Sequence, residues 1–288
     1  MSKFMFTKTN LSMCIALTSA LTFSAYAAAQ TVNDSIISEH RAALEKNTSG
    51  KGYGPQSPRD IDNINGINKR MFGTAVGSKD KNLCNIHFHR NAEHKGGEFT
   101  TYAGNGDGMG NNTGYVYDGK LDASETKQLN KNICAGKGAS LLAGDTLEVH
   151  FVYSSADVKP GPTLGACLSE STMNPGLRVE GQVIVLVNDS DAIDFGKMSE
   201  VSTEDGYYQA ANIPNDTGKP VQYSGSTTGP SYNEKASPLQ VSWSVRPKVA
   251  KVDISSVGEW CESNVFNEDH AHGVRNLVTN EKLLSAME

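Results

Sequence analysis

Two short segments of this chain alternate apolar and polar side chains with a period of two, and both carry histidine on the polar face. In Cys84-Asn85-Ile86-His87-Phe88-His89, Ile86 and Phe88 oppose Asn85, His87 and His89; in Thr146-Leu147-Glu148-Val149-His150-Phe151, the three apolar residues oppose Glu148 and His150. That period belongs to β-strands, because successive side chains of an extended chain point to opposite faces. Further runs at Glu98–Tyr102, Arg178–Val187 and Leu239–Val245 carry β-branched or aromatic residues and are bounded by Gly, Asn, Asp or Pro. Helical spacing is clear at Ser35–Asn47, where Ile36, Ile37 and Ala42 share a face before the Gly/Pro/Ser-rich stretch Gly50–Pro58 ends it. The pattern predicts a mainly β (α+β) single domain, with a central twisted, largely antiparallel sheet, long loops and a few short helices.

The N-terminus reads as an export signal. Lys3 and Lys8 precede an uncharged apolar stretch at 11–23, and the small residues Ala25 and Ala27 place cleavage after Ala27, or as late as Ala29. Residues 28–54 then form an N-terminal helix and linker, and 55–288 the main domain. No other stretch is apolar over the roughly 18 residues a membrane anchor needs, so a periplasmic or secreted protein without an anchor is expected. Cys84, Cys134, Cys167 and Cys261 are an even set in an exported chain and read as two disulfides, with all three pairings open. Twenty-six basic against 32 acidic residues, net −6, argues against nucleic-acid binding and favours a small-molecule partner. The Gly/Asn-rich run 104–114 lacks the Gly-Lys-Ser/Thr of a phosphate loop and reads as a surface loop.

If the two histidine-bearing strands are neighbours, His87, His89 and His150 converge. Three imidazoles with an open fourth position is the ligand set of catalytic zinc, whose bound water ionises near pH 7. Ligating histidines usually pass their second N–H to an oxygen that fixes the tautomer. Asn85 stands two residues before His87, and Glu148 two before His150, each on the face of its histidine.

These residues resemble the zinc site of the carbonic anhydrases of the alpha and delta classes, in His87-Phe88-His89, Glu93-His94 and Glu148-Val149-His150. The likeness continues in Gln56-Ser57-Pro58, in Tyr223-Ser224-Gly225-Ser226-Thr227-Thr228-Gly229-Pro230 and in Val241-Ser242-Trp243-Ser244-Val245. Cys84 ahead of the histidines and the Gly-rich run after Phe99 look more like the delta class. The resemblance implies an alpha-carbonic-anhydrase-like fold and one Zn2+ per chain on His87, His89 and His150. It implies hydration of carbon dioxide to bicarbonate by zinc-bound hydroxide. By the same resemblance Thr228 orients that hydroxide, Glu93 accepts a hydrogen bond from Thr228, and His94 supports the ligands from behind. Val152, Thr227 and Trp243 would wall the substrate pocket. Many alpha-class members carry a proton-shuttling histidine between the Gln-Ser-Pro and His-Phe-His segments, but 62–86 holds none, leaving His94, His270 and His272 as candidates.

Two other readings compete. His87-x-His89 followed by Glu93 also fits a cupin metalloenzyme binding iron or manganese, although no Pro-x-Gly precedes His150 and Ser154 stands where a cupin would carry Asn. A non-catalytic, zinc-holding carbonic-anhydrase-like protein is the second. The oligomeric state is not legible.

Overall fold

The strands that carry the histidines, β1 (Asn82–Arg90) and β4 (Thr146–Ser154), lie side by side and antiparallel, with His87 opposite His150 and His89 opposite Glu148. The computed structural model that shows this describes residues 1, 31–70 and 72–288; the signal read at 1–27 falls, apart from residue 1, outside them. The hairpin β2 (Thr101–Asn105) and β3 (Thr113–Val116) intervenes between these strands in sequence and forms its own two-stranded sheet. The extended run predicted at 98–102 begins only at Thr101, because Asp118 accepts from the backbone N–H and hydroxyl of both Thr100 and Thr101.

Beyond β4 the chain enters β5 (Leu177–Val187), the longest strand described, and then α2 (Phe195–Met198) and the hairpin β6 (Val201–Glu204) with β7 (Tyr207–Ala210). Strands β8 (Val221–Ser226), β9 (Gln240–Val245) and β10 (Ala250–Asp253) complete the main sheet in the order β1-β4-β5-β9-β8. One edge of β5 pairs with β4; the other is shared, with β9 parallel over Leu177–Gly181 and β10 parallel over Ile184–Val187. The sheet is largely antiparallel, as expected, with β1/β4, β4/β5 and β8/β9 antiparallel, and the two parallel pairings of β5 make it mixed. Strand β8 was not foreseen as a strand, since its Ser- and Gly-rich sequence has little β-propensity and is held instead by pairing with β9.

Both faces of the sheet are covered, which explains why β4 is buried at every position. On one face Ile86, Phe88, Leu147, Val149 and Phe151 pack with Phe195 and Met198 of α2 and with Val257 and Trp260 of α3 (Ile254–Glu262). Each of these large side chains contributes about 1.5–3 kcal/mol by leaving water. The other face holds Val152, Val179, Tyr223 and Trp243, and it is the face of the histidines. Helix α1 (Asp34–Thr48), expected over 35–47, packs Leu44 against Val278, Leu283 and Leu284 of the C-terminal segment. The cysteines pair as Cys84–Cys167 and Cys134–Cys261. Among the described residues no helix is long and apolar enough to cross a membrane.

Candidate metal centre

Alternation along β1 and β4 delivers the three imidazoles to one spot, where the ligand atoms of His87, His89 and His150 all lie within 4.8 Å of one another. The register shifts between Leu83 and Asn85, which leaves Cys84 as the extra residue of a bulge; from Asn85 onward the pleat is regular, so Asn85, His87 and His89 share a face.

Each ring has one nitrogen committed to an oxygen. His87 Nδ1 donates to Asn85 Oδ1 at 2.7 Å, and His89 Nδ1 to the Gly273 carbonyl at 2.7 Å. His150 Nε2 donates to Glu148 Oε1 at 2.9 Å. The lone pairs left free are therefore on Nε2 of His87, Nε2 of His89 and Nδ1 of His150. His87 Nε2 and His150 Nδ1 face each other at 3.3 Å with no proton between them. Two acceptors so placed repel unless a cation sits against both. Burial and then the neighbouring imidazoles, His150 foremost, hold His87 and His89 well below the usual histidine range, so both stay neutral and available as ligands.

Glu148 is fully buried and saturated. Its Oε1 accepts from His150 and from His94 Nδ1 at 2.6 Å, while Oε2 accepts the backbone N–H groups of Glu93 at 2.7 Å and His94 at 3.1 Å. Burial alone would raise its pKa, but His94 and His150 outweigh that and hold the carboxyl well below the usual range. His94 Nε2 accepts from the Tyr223 hydroxyl, which lies 2.8 Å from Ser57 Oγ. The cluster His94, Glu148 and His150 also has ligand-like spacing, yet its facing atoms are already joined by hydrogen bonds, so it supports the centre and does not compete with it.

In front of His87 and His89 opens a cavity of about 310 Å3, walled by Leu164, Thr227, Thr228 and Pro230. Thr228 Oγ1 is buried without a hydrogen-bond partner among the described residues. Two expectations need correction here. No hydrogen bond joins Thr228 to Glu93: Glu93 Oε1 accepts from the Arg275 backbone N–H at 3.3 Å, and Oε2 lies 3.9 Å from His89 Nε2. Burial, and then repulsion from Glu148, push the Glu93 pKa well above the usual range, opposed by Arg275. Val152 and Trp243 do not line the cavity; both are core residues, Val152 clustered with Cys84 and Cys167, and Trp243 edge-on to the His94 and His150 rings. Thr227 does line it, and Leu164 and Pro230 supply the apolar wall.

The C-terminal segment 268–276 also builds the site. It brings the Gly273 carbonyl to His89, Arg275 to Glu93, and His272 to the cavity, ring centroids 5.9 Å from both His87 and His89. His272 Nε2 lies 3.0 Å from both oxygens of Glu268, and its ring is 5.0 Å from His270. Of the three histidines considered for proton export, His94 is sealed in the core, His272 lines the cavity, and His270 is partly exposed beside His272. A carbonyl contribution leaves no mark in side-chain identity, but the density of titratable groups in Glu268-Asp269-His270-Ala271-His272 was a usable signal.

Three imidazole lone pairs beside a cavity on a β-sheet form a donor set that could hold a metal ion, the kind of set used by metal-dependent hydrolytic or hydrating enzymes. The chain belongs to the delta carbonic anhydrase family, whose model matches residues 78–256, and it is a carbonic anhydrase. Glu93 is not among the converging ligand atoms, so the cupin reading lacks its carboxylate. No curated protein matches the chain in sequence. Among solved structures it is similar to a hyperthermostable carbonic anhydrase from an active hydrothermal vent chimney, at 16% identity over 81% of this chain and 86% of that one, with TM-score 0.32. A carbonic anhydrase of Chlamydomonas reinhardtii in complex with acetazolamide gives 18% identity, 83% and 91% coverage and TM-score 0.33. The halotolerant enzyme of Dunaliella salina gives 14%, 86%, 95% and 0.34. Membership of the family rests on the domain match.

Proposed function

We propose that this carbonic anhydrase is an exported enzyme, periplasmic or secreted, that holds one Zn2+ on His87 Nε2, His89 Nε2 and His150 Nδ1 and interconverts carbon dioxide and bicarbonate. The observation that carries the metal assignment is the pair of facing lone pairs on His87 and His150, 3.3 Å apart. That is about the separation of two nitrogens bonded at about 2.0–2.1 Å to one tetrahedral ion. The three tautomers, each fixed by a separate oxygen, support the same donor set.

Bound there, zinc would supply a Lewis acid that makes hydroxide available near neutral pH. The chain's own residues do the rest. Asn85, Gly273 and Glu148 keep the ligand nitrogens unprotonated. Thr228 lines the cavity and carries a buried hydroxyl without a partner among the described residues, which would orient the reacting oxygen through a hydrogen bond, and Leu164 and Pro230 give the non-polar carbon dioxide an apolar wall. Glu93, held by Arg275, is kept close to His89 and serves as the buried carboxylate of the site. Hydration releases one proton per turnover, and His272, between the cavity and His270, is the group placed to carry it outward. Protein purified without added metal should contain one zinc per chain by mass spectrometry of the metal; stoichiometric iron in its place would sink this reading.

A further inference from the structure

Asn85 holds His87, and Asn85 is in turn held by a segment far away in sequence. Its Nδ2 donates to the Gly161 carbonyl at 3.1 Å, and the Gly161 N–H donates to the Cys84 carbonyl at 3.0 Å, so the chain at 161 lies directly against the bulge of β1. Six residues later the same segment is joined covalently to that bulge through Cys84–Cys167. Between these two attachments stand Thr163 and Leu164, which line the cavity. Thr163 has a φ of 58°, a left-handed conformation that a β-branched residue rarely adopts, and its hydroxyl accepts from the Gly165 N–H at 3.2 Å. Without its anchors this turn would relax, and Asn85 would lose the carbonyl that fixes its amide.

We propose that the Cys84–Cys167 disulfide is a positioning element of the metal centre. It pins residues 161–167 to β1, and thereby sets Asn85, the Nδ1 proton of His87 and the Thr163–Leu164 wall. The inference rests on the zinc reading above. Its consequence is that tight metal binding follows closure of this one bond, in which two thiols give up two protons and two electrons to a disulfide oxidant of an oxidising compartment. The other disulfide serves as an internal control. Cys134 belongs to the core on the opposite face of the sheet, with Phe88 and Trp260. The two bonds span 83 and 127 residues, a small difference on the logarithmic scale that governs loop closure, so removing either should destabilise the fold to a similar extent.

The test compares wild type, C84A/C167A and C134A/C261A by zinc competition against a chromophoric chelator and by the visible spectrum of the Co2+-substituted proteins. C84A/C167A should bind zinc about 10- to 100-fold more weakly, as for other losses of a ligand's supporting partner, and its Co2+ spectrum should shift. C134A/C261A should stay within about twofold of wild type with an unchanged spectrum. Equal affinities in all three, or an equal loss in both variants, would overturn the proposal. If C84A/C167A does not fold, phosphine reduction of C134A/C261A opens Cys84–Cys167 alone. Weaker zinc binding after reduction supports the proposal, and unchanged binding in protein with two free thiols counted overturns it. Wild type that takes up no zinc removes the zinc reading and this inference together, whereas zinc-binding wild type with an unaffected C84A/C167A removes only the inference.

Discussion

Replacing Glu148 by glutamine exchanges one carboxylate oxygen for an amide nitrogen, in a place where both oxygens are fully used. The carboxylate accepts four hydrogen bonds, two from imidazoles on one oxygen and two from backbone N–H groups on the other. A glutamine has one carbonyl and one amide, so one side must now face a donor. If the amide points to the backbone, two buried N–H groups lose their acceptor at about 1–3 kcal/mol each. If it points to the imidazoles, each ring must turn that nitrogen into an acceptor and move its proton to the other. The second route leaves fewer donors stranded, but it puts a proton on His150 Nδ1, the atom facing His87 Nε2 at 3.3 Å. Zinc must then displace that proton, and affinity should fall about 10- to 100-fold, or about 1.4–2.8 kcal/mol. Chelator competition measures the affinity, and nitrogen-15 NMR of metal-free protein reports the His150 tautomer. Glu148→Gln with wild-type zinc affinity and His150 still protonated at Nε2 would refute the reasoning. Truncation to alanine strands all four donors, with an expected affinity loss at least as large.

Thr228→Val removes a buried hydroxyl that has no partner among the described residues, so the melting temperature and zinc affinity should hold, while kcat/KM for hydration falls about 100-fold. His272→Ala should slow turnover in dilute buffer and recover when imidazole is added, whereas an unchanged rate in dilute buffer would remove His272 from the proton route. Metal-free stability should fall as pH drops below about 6.5, because His87 and His89 have depressed folded pKa values and the unfolded chain then binds up to two more protons. Glu93 works the other way: its raised pKa gives stability that is full below about 4.5 and lost as pH rises through the folded value. The net slope on the acid side of 6.5 is about 1.4–2.7 kcal/mol per pH unit, measurable by urea denaturation at several pH values; a flat profile would contradict it.

How far these features were legible depends on where the information resides. The convergence of His87, His89 and His150 could be read because strict alternation on two apolar-backed strands fixes which side chains share a face. Asn85 and Glu148 were legible for the same reason, each lying two residues from its histidine. The Gly273 carbonyl was not, since a backbone oxygen has no signature in the sequence and reaches His89 only through the path of the C-terminal segment. The parallel pairing of β5 with both β9 and β10 is likewise a long-range choice that local propensity does not encode. Val152 shares a strand face with His150, which made it a reasonable wall residue, but the Cys84–Cys167 pair packs in its cluster and the wall passes to Leu164. Disulfide pairing was open because spacing does not choose among partners.

Stopped-flow, pH-indicator measurement of carbon dioxide hydration, on wild type confirmed to hold zinc and on His89→Ala, tests the central claim most directly. The wild type should accelerate hydration well above the buffer rate, and His89→Ala, which loses one of the three converging nitrogens, should not. Zinc-loaded wild type that gives no acceleration, or His89→Ala that retains the full rate, would contradict the account.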